Sequence, residues 1–317
     1  MKICFSLYVK PNKPCGGGSR FALNLSNYLI SKGHEIQYSF DTSNLPDCIL
    51  FFDHKLYSDD CITKWLSLDH AKLIRQKFPK IPFITRINDI GYPKSRPENF
   101  VKNFSELANI SNFVIYVSEW LQKDYYKNKI FTESQVIHNC VDEKSFNIKE
   151  YVFDKPKLFT HHWSDNRMKG WDIYEKIDKW IADKDIDFTF VGNIPQGVKL
   201  TNTKLYPPLP EKEIANIIKQ NNIYITASKF EPCGNHFIEG LACGLPLLYT
   251  KDSGGTKEFG EYGLEFDTFD DFKIKFDNIV DNHILYYNRI KEKFNNFNYI
   301  TFNEYEKIFL RLTSKAQ

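Results

Sequence analysis

Residues 1–33, MKICFSLYVKPNKPCGGGSRFALNLSNYLISKG, place a short apolar run, a glycine-rich loop and an amphipathic segment in succession. Apolar residues recur at helical spacing from Ser19 to Lys32, which predicts a helix, and Gly33 suits a left-handed C-terminal cap. The glycine loop lacks the Lys-Ser/Thr ending of a Walker phosphate loop. The first unit is therefore predicted to be Rossmann-like, because a strand, a glycine-rich loop and a helix that ends at a glycine follow one another.

The rest of the chain continues this alternation of short apolar runs and longer amphipathic stretches. Such a pattern is typical of parallel strands joined by crossover helices. One series of runs ends before the polar segment 142–157, and a second series opens with KLFTHHW at the end of that segment. We therefore predict two Rossmann-like α/β domains, residues 1–152 and 153–299, followed by a C-terminal helix within residues 300–317.

The C-terminal segment TFNEYEKIFLRL predicts an amphipathic helix. Thr301 and Glu304 have the spacing of a capping box and predict that the helix starts there. Its apolar residues fall along one face, which has to pack against another part of the protein; they are Tyr305, Ile308, Phe309 and Leu312.

Length and charge exclude several classes of protein. A chain of 317 residues can bury two hydrophobic cores. Forty-two basic and forty acidic residues leave a formal charge of +2, which gives no electrostatic footprint for wrapping nucleic acid. We therefore expect no nucleic-acid partner.

The cysteines and the apolar runs bear on the compartment. The seven cysteines are scattered, odd in number and without a Cys-x-x-Cys pair, so we expect reduced thiols and neither disulfides nor a zinc site. The apolar run before Lys10 is too short for a signal peptide, and no run approaches the ~20 residues that span a bilayer. We expect a soluble cytoplasmic protein without a transmembrane segment; peripheral contact with a membrane stays open.

The strongest local pattern is SKFEPCGNHFIEGLACGLPLLYTKDSGGTKEFGEYGLEF, residues 228–266. Gly234 stands between Glu231 and Glu239, at a position that suits the start of a helix. A helix start there directs free N–H groups at an anion or a sugar hydroxyl; they belong to Asn235, His236 and Phe237. Carboxylates suit sugar hydroxyls because their oxygens accept hydrogen bonds. Spacing alone equally allows Glu231 to be a solvated loop residue and Glu239 a charge on a helix surface.

This segment resembles the signature of the retaining glycosyltransferase family four. The family has a loop Glu, a glycine, a helical Glu, a Gly-Leu-Pro turn and a Gly-Gly-x-x-Glu in fixed order; here they are Glu231, Gly234, Glu239, Gly244–Pro246 and Gly254–Glu258. The resemblance implies an α/β protein of the GT-B fold, with two Rossmann-like domains facing across a cleft and a C-terminal crossover helix on the first domain. It also implies transfer of a hexose-type sugar from a nucleotide-diphosphate sugar to a hydroxyl of a glycan, a lipid-linked sugar or a glycoprotein.

Other segments extend the resemblance over nearly the whole chain. Gly16, Gly17 and Gly18 resemble the family's N-terminal glycine loop, and VIYVSEWLQKDY resembles its serine-bearing strand and helix. VIHNCVDEKSF is similar to the family's Val-Ile-Pro-Asn-Gly-Val-Asp segment, with His138 and Cys140 in place of Pro and Gly.

The resemblance assigns roles in the donor site. In the family the first Glu contacts hydroxyls of the donor sugar and the second holds the nucleotide ribose, which implies these roles for Glu231 and Glu239. Backbone amides after the intervening glycine contact the sugar and the diphosphate, which implies a donor site that includes Gly234, Asn235, His236 and Phe237.

The segment THHWSDNRMKGWD, residues 160–172, contains the candidate for leaving-group stabilisation. A departing diphosphate gains negative charge, so a fixed cation stabilises the transition state more than the ground state. Lys169 matches the family's leaving-group lysine, and Ser164 occupies the position of the family's arginine. Arg167 substitutes for that arginine, or the site relies on Lys169 with Ser164 as a neutral donor, or Arg167 is only a solvated surface charge.

In the first domain, FITRINDIGYP resembles the segment where the family often places a His-Asp pair facing the acceptor. Asn88 stands at the histidine position and Asp89 at the aspartate position. Asp89 either accepts the proton of the acceptor hydroxyl or caps a turn.

Two patterns that imitate metal sites are given little weight. Asp185-Ile186-Asp187 resembles the Asp-x-Asp of another transferase fold but precedes a predicted strand, so it predicts a solvated turn. His161 and His162 are adjacent on a strand, point to opposite faces and are poor joint ligands. We expect no metal and no cofactor.

Two alternative functions remain at this point. The fold also suits a non-catalytic protein that binds a nucleotide sugar or a glycan, which the missing arginine favours. A sugar-nucleotide epimerase or a phosphorylase is a second alternative.

Overall fold

The computed structural model describes residues 1–10, 16–91, 94, 96–294 and 297–314. The chain divides into two compact units: unit 1 consists of Met1–Asn139 with Tyr299–Gln317, and unit 2 consists of Cys140–Asn298. Residues 140–152, which the sequence analysis assigned to the first domain, thus belong to unit 2. Lys149 shows why, because its carbonyl oxygen accepts a hydrogen bond from the Tyr287 hydroxyl at 2.6 Å.

Unit 1 contains a parallel six-stranded sheet of order β3-β1-β4-β7-β8-β9. The strands that the sequence predicts as buried apolar runs are buried in the structure. The described strands and α-helices of this unit before its C-terminal helix are β1 (Lys2–Phe5), β2 (Leu7–Val9), α1 (Gly17–Ser31), β3 (Glu35–Gln37), β4 (Cys48–Phe51), β5 (Tyr57–Ser58), β6 (Ile62–Lys64), α2 (Leu68–Lys77), β7 (Phe83–Ile87), α3 (Phe100–Asn109), β8 (Phe113–Tyr116) and β9 (Ser134–Val136).

The start of unit 1 follows the predicted pattern with two differences. The first apolar run splits at Ser6, because β2 leaves the main sheet and forms a small antiparallel sheet with β6 and β5. The first helix begins at Gly17, slightly before the predicted start. Gly33 has φ +84°, so the predicted left-handed conformation after this helix is confirmed.

Unit 2 contains a second parallel six-stranded sheet, of order β12-β11-β10-β13-β14-β15. Its strands and helices bury one continuous apolar core. The described elements are β10 (Lys157–His162), α4 (Trp171–Trp180), β11 (Asp187–Gly192), β12 (Lys204–Tyr206), α5 (Glu211–Ile218), β13 (Ile223–Thr226), α6 (Asn235–Ala242), β14 (Leu247–Thr250), β15 (Gly263–Phe266), α7 (Phe269–Asp281) and α8 (His283–Lys293).

The C-terminal helix, α9 (Phe297–Ser314), begins before Thr301. The predicted capping box is therefore wrong, since Thr301 lies inside the helix, where its hydroxyl donates to the carbonyl oxygen of His138 at 3.5 Å. Of the predicted apolar face, Tyr305, Ile308 and Phe309 are buried and Leu312 is half-buried. None of the helices in the described ranges is long and apolar enough to cross a membrane.

Helix α9 packs into the core of unit 1. The ring of Tyr305 lies 5.3 Å from that of Phe21, and the Tyr305 hydroxyl accepts a hydrogen bond from Nε of the fully buried Arg86 at 3.1 Å. The Arg86 guanidinium lies over the Phe21 ring at 4.2 Å, a cation–π contact that offsets part of its desolvation. The last helix is thus a structural part of unit 1, although it lies far from it in sequence.

Phe309 and Leu310 provide a matched test of this packing, because they are neighbours in α9 with exposed fractions of 0% and 50%. We expect Phe309→Ala to lower the free energy of unfolding of unit 1 by about 3–5 kcal/mol, since it opens a cavity. Leu310→Ala is expected to change it by about 0.5 kcal/mol. Urea denaturation followed by circular dichroism measures both changes, and equal losses in the two variants would contradict the packing of α9 on unit 1.

Candidate functional site

The candidate site lies at the carboxyl edge of the unit 2 sheet. Strands β10 and β13 are neighbours in the sheet, but the chain passes through β11 and β12 before it reaches β13. Ligands of open α/β sheets bind outside the carboxyl ends of the strands at such a switch in strand order. The loops that follow these two strands carry Lys169 and Glu231, the two residues at the centre of the sequence prediction.

The loop before Glu231 has an unfavourable backbone conformation. Phe230 has φ +51°, which is unusual for a bulky residue and costs on the order of 1–3 kcal/mol. Hydrogen bonds to a second loop hold it, because the amide of Phe230 donates to the Asp252 carbonyl at 2.8 Å and that of Glu231 donates to the Ser253 carbonyl at 3.1 Å. The amide of Gly255 in turn donates to the Glu231 carbonyl at 2.8 Å. The backbone of Glu231 is therefore fixed.

Glu231 forms an ion pair with Lys169, with the lysine Nζ 2.7 Å from its Oε2. The two side chains are only 16% and 11% exposed, for Lys169 and Glu231 respectively. The alternative that Glu231 is a solvated loop residue is therefore wrong. Two partly desolvated charges in contact depend on each other, because removing one leaves the other buried without compensation.

The position of Lys169 depends on the glycine that follows it. Arg167–Lys169 form a short 3₁₀ turn, and Gly170 ends the turn with φ +78°. A Cβ at Gly170 would clash with the carbonyl oxygen of Ala227, so only glycine allows the turn to approach the end of β13. This close approach brings Lys169 next to the loop of Glu231.

Helix α6 begins directly after Gly234, so the predicted helix start is confirmed. The first amides of a helix carry the positive end of its dipole; here they belong to Asn235, His236 and Phe237. The His236 side chain also contributes: its Nε2 lies 3.1 Å from the Thr226 hydroxyl, and its ring covers Gly234 so closely that a Cβ there would clash. The sequence prediction assigned a role only to the backbone amide of His236.

Glu239 is 1% exposed, so the alternative that it is a charge on a helix surface is wrong. Its Oε2 lies 2.6 Å from Nε2 of His161, which is also buried. The neighbouring His162 instead contacts the Tyr174 hydroxyl at 2.7 Å, and burial holds the pKa of His162 well below its usual value. The two histidines thus have different partners.

The remaining candidates in unit 2 are exposed. Ser164 and Arg167 lie in the same loop as Lys169 and face solvent, and the Ser164 hydroxyl accepts a hydrogen bond from the Asn166 amide at 3.2 Å. Asp185 and Asp187 form ion pairs with Lys155 at 3.0 and 2.8 Å, as expected for a solvated turn.

Unit 1 contains the other predicted residues. Gly16 precedes α1, and Gly17 and Gly18 form its first turn. A Cβ at Gly18 would lie 3.1 Å from Nδ2 of Asn88, so the glycine loop and the segment after β7 are closely packed. Asp89 forms an ion pair with Arg96 and accepts a hydrogen bond from the Ile90 amide at 2.9 Å. The Asp89 side chain therefore caps the turn in which it lies. That Asp89 accepts the proton of the acceptor hydroxyl stays a prediction.

Two buried titratable residues that follow β4 were not among the residues predicted from the sequence. Asp53 and His54 are both buried; Asp53 pairs with Lys64, and burial lowers the pKa of His54. The ring of His54 lies 4.8 Å from that of Phe100. In the sequence, these two polar residues directly follow the apolar run CILFF. In the sheet, they follow a strand at the point where the strand order changes between β1 and β4.

Known proteins similar to this chain agree with its architecture. Residues 175–293 match the family model described as "Glycosyl transferases group 1", within unit 2. A protein named "Probable sucrose-phosphate synthase" from Thermosipho melanesiensis is 26% identical over 213 residues, which are 60% of this chain and 48% of that protein. The chain therefore spans about half the length of this relative.

Two solved structures match over the whole fold. The sucrose-phosphate synthase of Thermosynechococcus elongatus has a TM-score of 0.71 at 12% identity, over 99% of this chain and 99% of that one. The Anabaena protein HepE, solved with UDP, has a TM-score of 0.71 at 15% identity, over 98% of this chain and 100% of that one. At these identities the likeness shows the fold. The chain therefore has the GT-B fold, and residues 175–293 of unit 2 resemble the glycosyl transferases group 1 family.

Proposed function

We propose that this protein transfers a hexose-type sugar from a nucleotide-diphosphate sugar to a hydroxyl of a glycan, a lipid-linked sugar or a glycoprotein, with retention of the anomeric configuration. The observation that carries the proposal is the partly buried contact between Lys169 and Glu231 at the carboxyl edge of the unit 2 sheet. A cation for a leaving phosphate and an acceptor for sugar hydroxyls lie next to each other there.

The donor diphosphate is assigned to Lys169 and the N-terminus of α6. The helix start supplies amide donors and the positive end of a dipole, both of which favour an anion. Lys169 adds a full charge whose stabilising effect grows as the bond between sugar and phosphate breaks. Arg167 is proposed as a second, more exposed cation for the diphosphate.

The donor sugar is assigned to Glu231. Its backbone is fixed by the paired loops, so its carboxylate can accept sugar hydroxyls without further ordering. The structures of HepE with UDP, and with UDP and glucose, support a donor of this chemical class for a chain of the same fold. Glu239 is assigned to the nucleotide ribose, through the resemblance of its motif to that of family four.

Retention is proposed to proceed without a protein nucleophile. The acceptor hydroxyl attacks from the face that the phosphate leaves, and the phosphate, held by Lys169, takes the acceptor's proton. Asp89 has a supporting role, since its carboxylate is already engaged with Arg96. We propose that this chemistry occurs in the cytoplasm, because the seven cysteines of the sequence are scattered and lack the pattern of a disulfide framework.

A non-catalytic protein that binds nucleotide sugars is the second candidate. The observation that favours it is the neutral, exposed Ser164 at the position of the family's arginine. The experiment that separates the candidates is incubation with a panel of nucleotide sugars, with and without candidate acceptors, while free nucleoside diphosphate and new glycoside are measured. A transferase releases the diphosphate together with a glycoside. Binding without release in every combination would contradict the proposed transfer, and release with sugar isomerisation would indicate an epimerase.

We expect Lys169→Ala to lower kcat by about a hundredfold or more, because Lys169 stabilises charge that appears in the transition state. The affinity for a nucleoside diphosphate, measured by calorimetry, is expected to fall by less than about tenfold. Lys251→Ala is the control, since Lys251 forms an exposed ion pair with Asp267 in the same unit and its removal should leave both quantities unchanged. An unchanged kcat would remove Lys169 from the mechanism.

We expect transfer to survive chelation with EDTA. The described part of the chain contains no group of three His, Cys, Asp or Glu residues arranged to hold a metal ion. Lys169 and the start of α6 are proposed to supply the positive charge that a metal supplies in other transferases. The measurement is the transfer rate before and after EDTA; complete loss of activity that Mn²⁺ or Mg²⁺ restores would refute metal independence.

A further inference from the structure

The carboxylate of Glu239 has a specific partner in His161. Glu239 lies in α6 and its side chain is 2% exposed, while His161 is the penultimate residue of strand β10. The contact of 2.6 Å joins Oε2 of the glutamate to Nε2 of the histidine. An ionised carboxylate only accepts hydrogen bonds, so Nε2 of His161 carries the proton and donates.

Tyr224 determines the state of the other ring nitrogen. Its hydroxyl lies 3.1 Å from Nδ1 of His161 and accepts the backbone amide of the same residue at 3.3 Å. Burial raises the pKa of Tyr224 well above its usual value, so the hydroxyl keeps its proton and donates it to Nδ1. A His161 ring that accepts at Nδ1 and donates at Nε2 satisfies both contacts.

The packing around this chain of contacts leaves little freedom for movement. Gly240 follows Glu239 in α6, and a Cβ at Gly240 would clash with the Tyr224 ring. The tyrosine therefore packs directly against the helix backbone. The ring of His161 lies 5.9 Å from that of Tyr224 and 5.4 Å from that of Phe159. The orientation of the histidine ring, and with it that of the Glu239 carboxylate, is thus determined by the core of unit 2.

We propose that His161 is a positioning residue that orients the Glu239 carboxylate towards the ribose hydroxyls of the donor nucleotide, and so makes the site selective for ribonucleotides. This inference rests on the proposed function, which assigns Glu239 to the ribose. His161 acts through Glu239 and does not itself contact the nucleotide. A partner that fixes the carboxylate restricts its rotation before the ligand binds. The resulting gain in affinity applies only to ligands that carry the ribose hydroxyls.

The test measures ribose selectivity directly. Calorimetry gives the dissociation constants of the common nucleoside diphosphates and of their 2′-deoxy and 3′-deoxy counterparts. In the unmodified protein we expect the ribonucleotide to bind about tenfold or more tightly than at least one deoxy counterpart, as for a hydrogen bond to a charged group. We define the selectivity ratio as the dissociation constant of the deoxy counterpart divided by that of the ribonucleotide. In His161→Leu this ratio should fall to about two or less, mostly because the ribonucleotide binds more weakly.

Three further variants separate positioning from folding. His161→Gln retains an N–H donor for Glu239 and should keep an intermediate ratio. Tyr224→Phe keeps the ring but removes the hydroxyl that orients His161, so the ratio should fall by roughly two- to fivefold. His162→Gln is the matched control, because His162 is an equally buried neighbour on the same strand that contacts Tyr174. The preference of His162→Gln for the ribonucleotide over its deoxy counterpart should equal that of the unmodified protein, even if the Tm of the variant is lower.

The outcomes distinguish this inference from the proposed function. Failure of the unmodified protein to bind any nucleoside diphosphate would overturn the proposed function, and the inference with it. Binding without ribose selectivity, an unchanged ratio in His161→Leu, or equal losses of affinity for both ligands would overturn only the positioning role. If His161→Leu does not fold, unchanged ratios in both His161→Gln and Tyr224→Phe would overturn that role.

Discussion

The ion pair between Lys169 and Glu231 is the contact on which the organisation of the unit 2 site depends. Each charge is largely removed from water, and the contact with the opposite charge offsets part of that desolvation. The surrounding backbone is arranged to make the contact: Gly170 allows the close approach to β13, and the unfavourable φ of Phe230 is held by hydrogen bonds to the loop after β14. Backbone strain that neighbouring contacts maintain is common at functional sites.

The pair also explains why two loops from different strands act as one site. Lys169 follows β10 and Glu231 follows β13, and these strands are adjacent only because the chain order changes between them. Helix α6 starts a few residues after Glu231 and adds its first amides to the same edge of the sheet. A cation, a carboxylate and a helix start are thus brought together by the strand order, which is why the proposed donor site lies in unit 2.

Much of the fold followed from local patterns in the sequence. The apolar runs predicted the strands, Gly33 predicted the end of α1 and Gly234 predicted the start of α6. These features depend on neighbouring residues in the chain, so a local pattern is enough to predict them. The start of α9 and the division at Cys140 did not follow, since both depend on packing between segments far apart in the chain. The contact between His161 and Glu239 joins residues 78 positions apart, so no local pattern could reveal it. Their burial also settled the question that spacing had left open for Glu231 and Glu239.

The family match begins at residue 175, after β10 and the turn of Lys169, so the assignment of that turn rests on its motif and on its geometry. The central claim is that the donor nucleotide binds where Lys169, Glu231 and the start of α6 meet. A crystal structure with a bound nucleoside diphosphate tests this claim most directly. The account predicts that the diphosphate lies within hydrogen-bonding distance of Lys169 Nζ and of the first amides of α6, with the ribose next to Glu239. A nucleotide bound at any other place on unit 2, or on unit 1, would contradict it.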